Sequence, residues 1–256
     1  MLVTYTPIIL VFVEPNFFLN PFLLSVLDTP TTVDCTLSSE STGQECLENV
    51  CQRLSINQLE FFGLRYVVKG TDDELRWVDL DRPLSRQLDK YANSSRLYLR
   101  VMYYVISGVS LITDEVARNY YFLQLKSDVV EGRISCDPKQ AVILAIYCRQ
   151  AQYDSHQSER HTVDYLKNLL PFPRQLIEAG LLETLTEEVL QPNADIQNLT
   201  QASAEGLFIA ACQQLDGYGQ EKFVAKDNAN NEVTLGITVS GIAVTRPLSE
   251  HSKFYP

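Results

Sequence analysis

The sequence predicts an α+β protein built as three consecutive lobes: a small mixed β lobe, an all-helical lobe and a closing β lobe. Three observations carry this reading. Residues 22–104 show period-two alternation interrupted by one capped helix, and residues 105–216 switch to helical periodicity. Residues 217–256 return to short alternating runs between turn residues. The length of 256 residues allows two or three small lobes, and 45% hydrophobic with 21% charged content is enough to bury real cores.

Residues 1–21 stand apart. The apolar run Pro7–Val13 is broken by Glu14-Pro15-Asn16 and Asn20-Pro21. A membrane span needs about 20 largely apolar residues, and a secretory signal needs a basic n-region that is missing. This segment is expected to be a leader, either disordered or a non-native start, with a damaged signal anchor as the competing reading.

From Phe22 the pattern becomes regular. Phe22–Leu27 reads as a strand and Asp28-Thr29-Pro30 as a turn. In Thr32–Leu37, Val33, Cys35 and Leu37 alternate with polar partners, which marks a strand with one buried face. Thr42-Gly43-Gln44-Glu45 is a capping box, and Cys46, Leu47, Val50, Cys51 and Leu54 follow on one helical face. Strands are expected at Glu60–Val68, Arg76–Leu80 and Arg96–Tyr103, the last with Leu97, Leu99, Val101 and Tyr103 pointing one way. A short helix carrying Leu84 and Leu88 follows the turn at Pro83. Hairpin, helix, two strands, short helix and last strand is the order of a ubiquitin-like β-grasp, expected over residues 22–104.

The helical lobe, residues 105–216, opens with Asp114–Glu131, which places Val116, Tyr120, Leu123, Val129 and Val130 near one side and stops at Gly132. Asp137 and Pro138 supply an N-cap and first helical residue for a helix with Ala141, Leu144, Ala145 and Cys148 inward. Val163–Leu170 is a further helix, and Gln175–Leu190 reads as one helix kinked near Gly180. Ser203–Leu215 is the last, with Leu207, Ala211, Cys212 and Leu215 inward. In residues 217–256, Phe223–Ala225, Val233–Val239 and Ile242–Arg246 make three strands, an incomplete sheet with an unpaired edge.

Charge and cysteine usage narrow the function classes. The net charge is -11, and residues 1–52 hold six acids with no Lys or Arg. Nucleic-acid binding, which needs clustered cations, is excluded as an expectation. Six cysteines at uneven spacing, with no Cys-x-x-Cys pair, suggest reduced thiols rather than a disulfide framework. The sequons at Asn93 and Asn198 are then without meaning. Cys148, His156 and His161 could be read as metal ligands, but their spacing fits no structural zinc site. Gly217 and Gly219 lack the Lys of a phosphate loop and read as a turn, and Asp72-Asp73-Glu74 reads as a solvated loop. No catalytic, cofactor-binding or metal residue is expected, and no partner-binding residue can be assigned.

Several local sequences resemble the FERM domain. The segment Trp77-Val78-Asp79-Leu80-Asp81-Arg82-Pro83-Leu84, within 76–88, resembles the first-lobe signature of that family. Residues 121–133, from Tyr121-Phe122-Leu123-Gln124 to Gly132-Arg133, resemble the opening helix of its helical lobe. Residues 204–219, ending in Leu215-Asp216-Gly217-Tyr218-Gly219, resemble its second signature, with Lys222 departing from the usual apolar residue. Residues 34–47 and 215–221 are further similar to the FERM-containing non-receptor tyrosine phosphatases of the Pez type.

The resemblance implies a ubiquitin-like lobe, an acyl-CoA-binding-protein-like helical lobe and a PH/PTB-like third lobe, here incomplete. It implies a non-catalytic module that links membrane proteins to the cortical cytoskeleton. Partners would be cytoplasmic tails of membrane proteins, cortical cytoskeletal proteins and phosphoinositide surfaces, in the cytoplasm at the cell cortex. It also implies a phosphatase domain far downstream in such proteins. Their catalytic loop, His-Cys, five residues, then Arg, is not in this sequence, which contains no His-Cys pair. The implied alternatives are the regulatory part of such a phosphatase or a FERM adaptor with no enzyme.

Overall fold

The capping box at Thr42 is the clearest local signal, and it sets the first helix. In the computed structural model, which describes residues 9–12, 23–26, 29–32, 37–153, 162–167, 169–191, 196, 199–246 and 253–256, α1 spans Gly43–Arg53. The Thr42 hydroxyl accepts from Glu45 N at 3.2 Å, and the Glu45 carboxylate accepts from Thr42 N at 3.0 Å. Cys46, Leu47, Val50 and Cys51 form its buried face, as their spacing requires.

That face packs on β4 (Phe62–Val67) and β6 (Arg96–Val101), which belong to an antiparallel sheet with β1 (Ile9–Phe12) and β5 (Leu75–Trp77), ordered β1-β6-β4-β5. The strands β2 (Leu23–Val26) and β3 (Thr29–Thr32) form a separate two-stranded sheet, with Val26 opposite Thr29. Two expectations change here. The strand beside β6 comes from inside the expected leader, with Ile9 opposite Leu99 and Phe12 opposite Arg96. The alternating segment at Val33–Leu37 lies mostly outside the described residues. A continuous run of Ile, Leu, Val and Phe has higher strand propensity than the Thr- and Pro-containing hairpin, and a free sheet edge recruits it.

In β6, Leu97, Leu99 and Val101 point into the core as expected. Tyr103 does not: it is 60% exposed. The strand stops at Val101, where Met102 N and Tyr103 N both donate to Phe61 O and turn the chain. Helix α2 (Leu84–Tyr91) buries Leu84, Gln87 and Leu88. Gln87 clamps the preceding turn, its Oε1 accepting from Asp79 N and its Nε2 donating to Asp79 O, both at 2.8 Å.

The second lobe comprises α3 (Glu115–Val130), α4 (Pro138–Tyr153), α5 (Val163–Leu166), α6 (Arg174–Glu178), α7 (Leu182–Leu190) and α8 (Gln201–Cys212). Asp114 caps α3, its carboxylate accepting from Ala117 N and also from Asn57 N of the first lobe, both at 3.0 Å. Helix α3 is buried almost all round, from Tyr121 through Val129, rather than along one stripe. The reason is its central position, with α8 on one side and the first lobe on another. The inward residues expected of α4, namely Ala141, Leu144, Ala145 and Cys148, are all buried.

The expected kinked helix at Gln175–Leu190 is two helices. Gly180, at φ 78°, ends α6 in the left-handed conformation that a glycine adopts without Cβ strain, and α7 starts afresh. The face of α8 is also rotated from expectation: Ala204, Phe208, Ile209 and Cys212 are buried, while Leu207 is 39% exposed. Phe208 decides this by packing edge-on against Phe122, with centroids 4.9 Å apart. Arg149, buried on α4, donates to Val189 O at 2.5 Å and so caps the last turn of α7, which has no basic residue of its own.

The third lobe is the sheet β10-β9-β8-β7, from β7 (Glu221–Lys226), β8 (Glu232–Thr238), β9 (Gly241–Thr245) and β10 (Lys253–Tyr255). Asp227 organises the first hairpin, its carboxylate accepting from Ala229 N and Asn231 N at 2.9 Å. The fourth strand was not expected, since Lys253-Phe254-Tyr255 is too short to show a period.

Buried side chains of α1, β4 and β6 belong to the same hydrophobic cluster as those of α3 and α8, so the first two lobes share one core. In the third lobe, Val233 is the one buried hydrophobic residue among the described residues 221–256. Hydrogen exchange should therefore be faster across the described residues within 218–256 than across residues 42–54, because local opening there exposes little new apolar surface. Equal protection of the two segments would contradict this.

Candidate interaction site at the lobe junction

The three lobes meet around the linker that follows β6. Val105 carries no polar side chain, yet both its backbone groups are used. Its N–H donates to the Tyr121 hydroxyl at 2.8 Å, and its carbonyl accepts from the Tyr218 hydroxyl and from Gln213 Nε2, each at 2.8 Å. The two phenol oxygens lie 2.8 Å apart. Burial, then the neighbouring Tyr218, pushes the Tyr121 phenol up, so it stays protonated.

Tyr104 adds a second set of contacts. Its ring stands edge-on to Tyr218 at 5.3 Å and to Tyr121 at 6.0 Å, and its hydroxyl donates to Asp128 Oδ2 at 3.0 Å. Burial first, then the Asp128 charge, holds the Tyr104 phenol well above its ordinary range, which keeps it a donor. Asp128 also accepts from Gln124 at 2.8 Å and from Arg133 Nε at 2.7 Å, and Arg133 pairs in addition with Glu131. Asp128 thereby accepts three hydrogen bonds within the junction, which is a polar network held together rather than a reactive one.

Gly217 permits the closure. It sits at φ 92°, and a Cβ there would overlap the Arg133 carbonyl oxygen. The turn expected at Gly217 and Gly219 is thus a point where backbone passes backbone. Gly217→Ala is expected to cost at least about 1–3 kcal/mol of strain, read as a lower Tm and faster exchange of the amides of residues 216–220. An unchanged Tm would refute it.

The first and third lobes are tied by Arg65, which pairs with Glu221 while its guanidinium lies 4.0 Å above the Trp77 ring. The lone tryptophan therefore holds the arginine that reaches the third lobe. Neither Arg65 nor Glu221 was singled out from sequence. Only the register that places Arg65 opposite Trp77 reveals the pair.

One face of the third-lobe sheet carries an apolar patch, flanked by Glu221 and Lys253. Pairing of Phe223 with Leu235, Leu235 with Val244, Ile237 with Ile242 and Ile242 with Tyr255 puts these six side chains on one face. Phe223, Ile237, Ile242 and Tyr255 remain exposed. Such patches on folded proteins mark interaction surfaces.

Among the described residues, no group of three or more His, Cys, Asp or Glu could hold a metal ion. Cys148 is buried, whereas His156 and His161 lie outside the described residues. Asp72-Asp73-Glu74 is an exposed loop. Among the described residues, Cys46, Cys51, Cys136, Cys148 and Cys212 form no disulfide. No helix among the described residues is long and apolar enough to cross a membrane.

A β lobe, a helical lobe and a β sheet locked around one linker define a three-lobed FERM architecture. Residues 26–90 match the FERM N-terminal domain and residues 107–223 match the FERM central domain, so the chain belongs to the FERM-domain family. It is 40% identical over 233 residues to human tyrosine-protein phosphatase non-receptor type 14 and 39% identical over 216 residues to rat tyrosine-protein phosphatase non-receptor type 21. These alignments cover 91% and 83% of this chain, but only 19% and 18% of the two phosphatases, so the chain spans about a fifth of their length. Human protein 4.1 is 27% identical over 231 residues, covering 90% of this chain and 25% of that protein.

Solved structures agree on the fold. Drosophila Merlin, in a complex of its FERM and C-terminal domains, superposes with a TM-score of 0.69 at 19% identity, covering 88% of this chain and 76% of that one. The human myosin 7b MyTH4-FERM domain, in complex with the harmonin-a PDZ3 domain, gives a TM-score of 0.63 at 16% identity, covering 89% and 50%.

Proposed function

We propose that this chain is a non-catalytic binding module that joins the cytoplasmic tails of membrane proteins to cortical cytoskeletal proteins, as the N-terminal part of a FERM-containing tyrosine phosphatase. The observation that carries the reading is the match of residues 26–90 and 107–223 to the FERM N-terminal and central domains, on two lobes that share one core. A module of this kind works by presenting surfaces in fixed relation, and the junction supplies that relation. The similarity to the type 14 phosphatase over 91% of this chain supports the phosphatase parent, whose chemistry would reside in sequence beyond residue 256. Its place would be the cytoplasm beneath the membrane. Contact with phosphoinositide surfaces would have to overcome a net charge of -11.

The test is direct binding of the whole chain to a panel of cytoplasmic-tail peptides from membrane proteins, followed by titration calorimetry. Saturable binding by at least one tail, weakened by Phe223→Asp or Ile242→Asp, is the expected result. No saturable binding anywhere in the panel would overturn the reading. Transcript sequence continuing in frame into a His-Cys…Arg loop would support the phosphatase parent, and a continuation without that loop would leave an adaptor.

A further inference from the structure

A cleft of about 380 Å³ opens on the second lobe where the α3–α4 turn, the start of α6 and the end of α8 converge. Its floor is apolar, from Ile134, Pro173 and Leu176. Its lining includes two acidic residues, Asp137 and Asp216, and no Lys or Arg. The backbone pins this lining, since Ser135 N donates to Asp216 O at 2.9 Å and Asp137 Oδ1 accepts from Gln140 N at 2.9 Å. The second oxygen of Asp137 and the whole Asp216 carboxylate have no cationic partner among the described residues. Cys136 also lines the cleft, and its thiol is pushed up to about 11 by burial first and by the Asp137 charge second.

We infer that this cleft receives a Lys or Arg side chain from a basic peptide segment of a partner. The chemistry of the walls selects such a side chain: its aliphatic stem lies on Ile134, Pro173 and Leu176 while its charged head reaches the two carboxylates. An acidic or purely apolar occupant would leave the carboxylates facing like charge or stripped of water. The partner class follows from a general property of membrane proteins, whose cytoplasmic segments near the membrane are enriched in Lys and Arg. That choice of partner rests on the function proposed above, whereas the charge chemistry of the cleft does not.

The experiment measures binding of a fluorescent, end-blocked peptide alternating Gly, Leu and Arg to the full chain, with the Glu-for-Arg peptide as control. Asp137→Asn with Asp216→Asn should weaken the basic peptide at least about fivefold; asparagine keeps the α4 cap, so the fold survives. Gln175→Lys, which places a cation of the chain's own at the rim, should weaken it similarly. Asp72→Asn with Asp73→Asn makes the same change in net charge elsewhere and should leave affinity within about twofold. The inference fails if the basic peptide does not bind, if the Asp137 and Asp216 pair changes affinity less than fivefold, or if the Asp72 and Asp73 pair weakens it as much. A membrane-protein tail that binds the Asp137 and Asp216 variant undiminished would overturn the cleft and leave the proposed function standing. A basic peptide bound through the cleft while no tail binds would do the reverse.

Discussion

Replacing Phe208 by alanine should remove about 3–5 kcal/mol from the stability of the second lobe. Phe208 is fully buried, sits at the meeting of α8 with α3, and makes the edge-on contact with Phe122 at 4.9 Å. The substitution deletes the ring from water-free surroundings and leaves a cavity between two helices that cannot collapse, because α3 is also held by the first-lobe core. Since that core is shared, the loss should spread to the first lobe. Urea unfolding followed by helical circular dichroism should show a lower midpoint, and exchange should accelerate in α1 as well as α8. A change confined to α8, or smaller than about 1 kcal/mol, would show that the site relaxes and that the lobes are less coupled than their packing indicates.

The second large effect is expected at Glu205. This carboxylate is 2% exposed and accepts from Arg118 Nε at 3.3 Å, Asn119 Nδ2 at 2.7 Å and Gln201 Nε2 at 3.0 Å. It locks the first turn of α8 to the start of α3. Glu205→Leu leaves the largely buried Arg118 with only the exposed Glu115 at 3.9 Å. An uncompensated buried charge of this kind costs about 3–5 kcal/mol. Arg118→Leu combined with Glu205→Leu should recover much of that loss, because both charges leave together and apolar contacts replace them. Thermal unfolding of the two single variants and the double variant gives the coupling directly. If the double variant is as unstable as the sum of the singles, the pair is not what holds α3 to α8.

How far the structure was legible from sequence depends on the range of the forces involved. Thr42 with Glu45, Asp137 with Pro138, and the alternation of Leu97, Leu99 and Val101 were legible because each is decided within a few residues by capping geometry or side-chain period. The FERM signatures at residues 76–88 and 204–219 were legible for the same reason. The 3.6-residue period of α8 allows two phases, one of them with Leu207 inward, and the aromatic contact between Phe208 and Phe122 selects the other. The apolar spacing of Gln175–Leu190 continues across Gly180 and so spells one helix, and only the backbone conformation at that residue separates α6 from α7. Of the candidate sites, the turn at Gly217 was visible, but its role as a backbone crossing with Arg133 was not.

By itself the sequence determined the lobe order, most helix starts, the family and the absence of a His-Cys loop from this chain, since these depend on local pattern and composition. Tertiary structure alone decided that Ile9–Phe12 takes the sheet edge beside β6. It also decided that Trp77 and Arg65 tie the first lobe to Glu221, that Val105 is the hub of the junction, and that Asp137 and Asp216 line one cleft. Each of these joins residues far apart in the chain, and competition for a sheet edge, a buried hydrogen bond or an ion pair is settled only when all the competitors are in place.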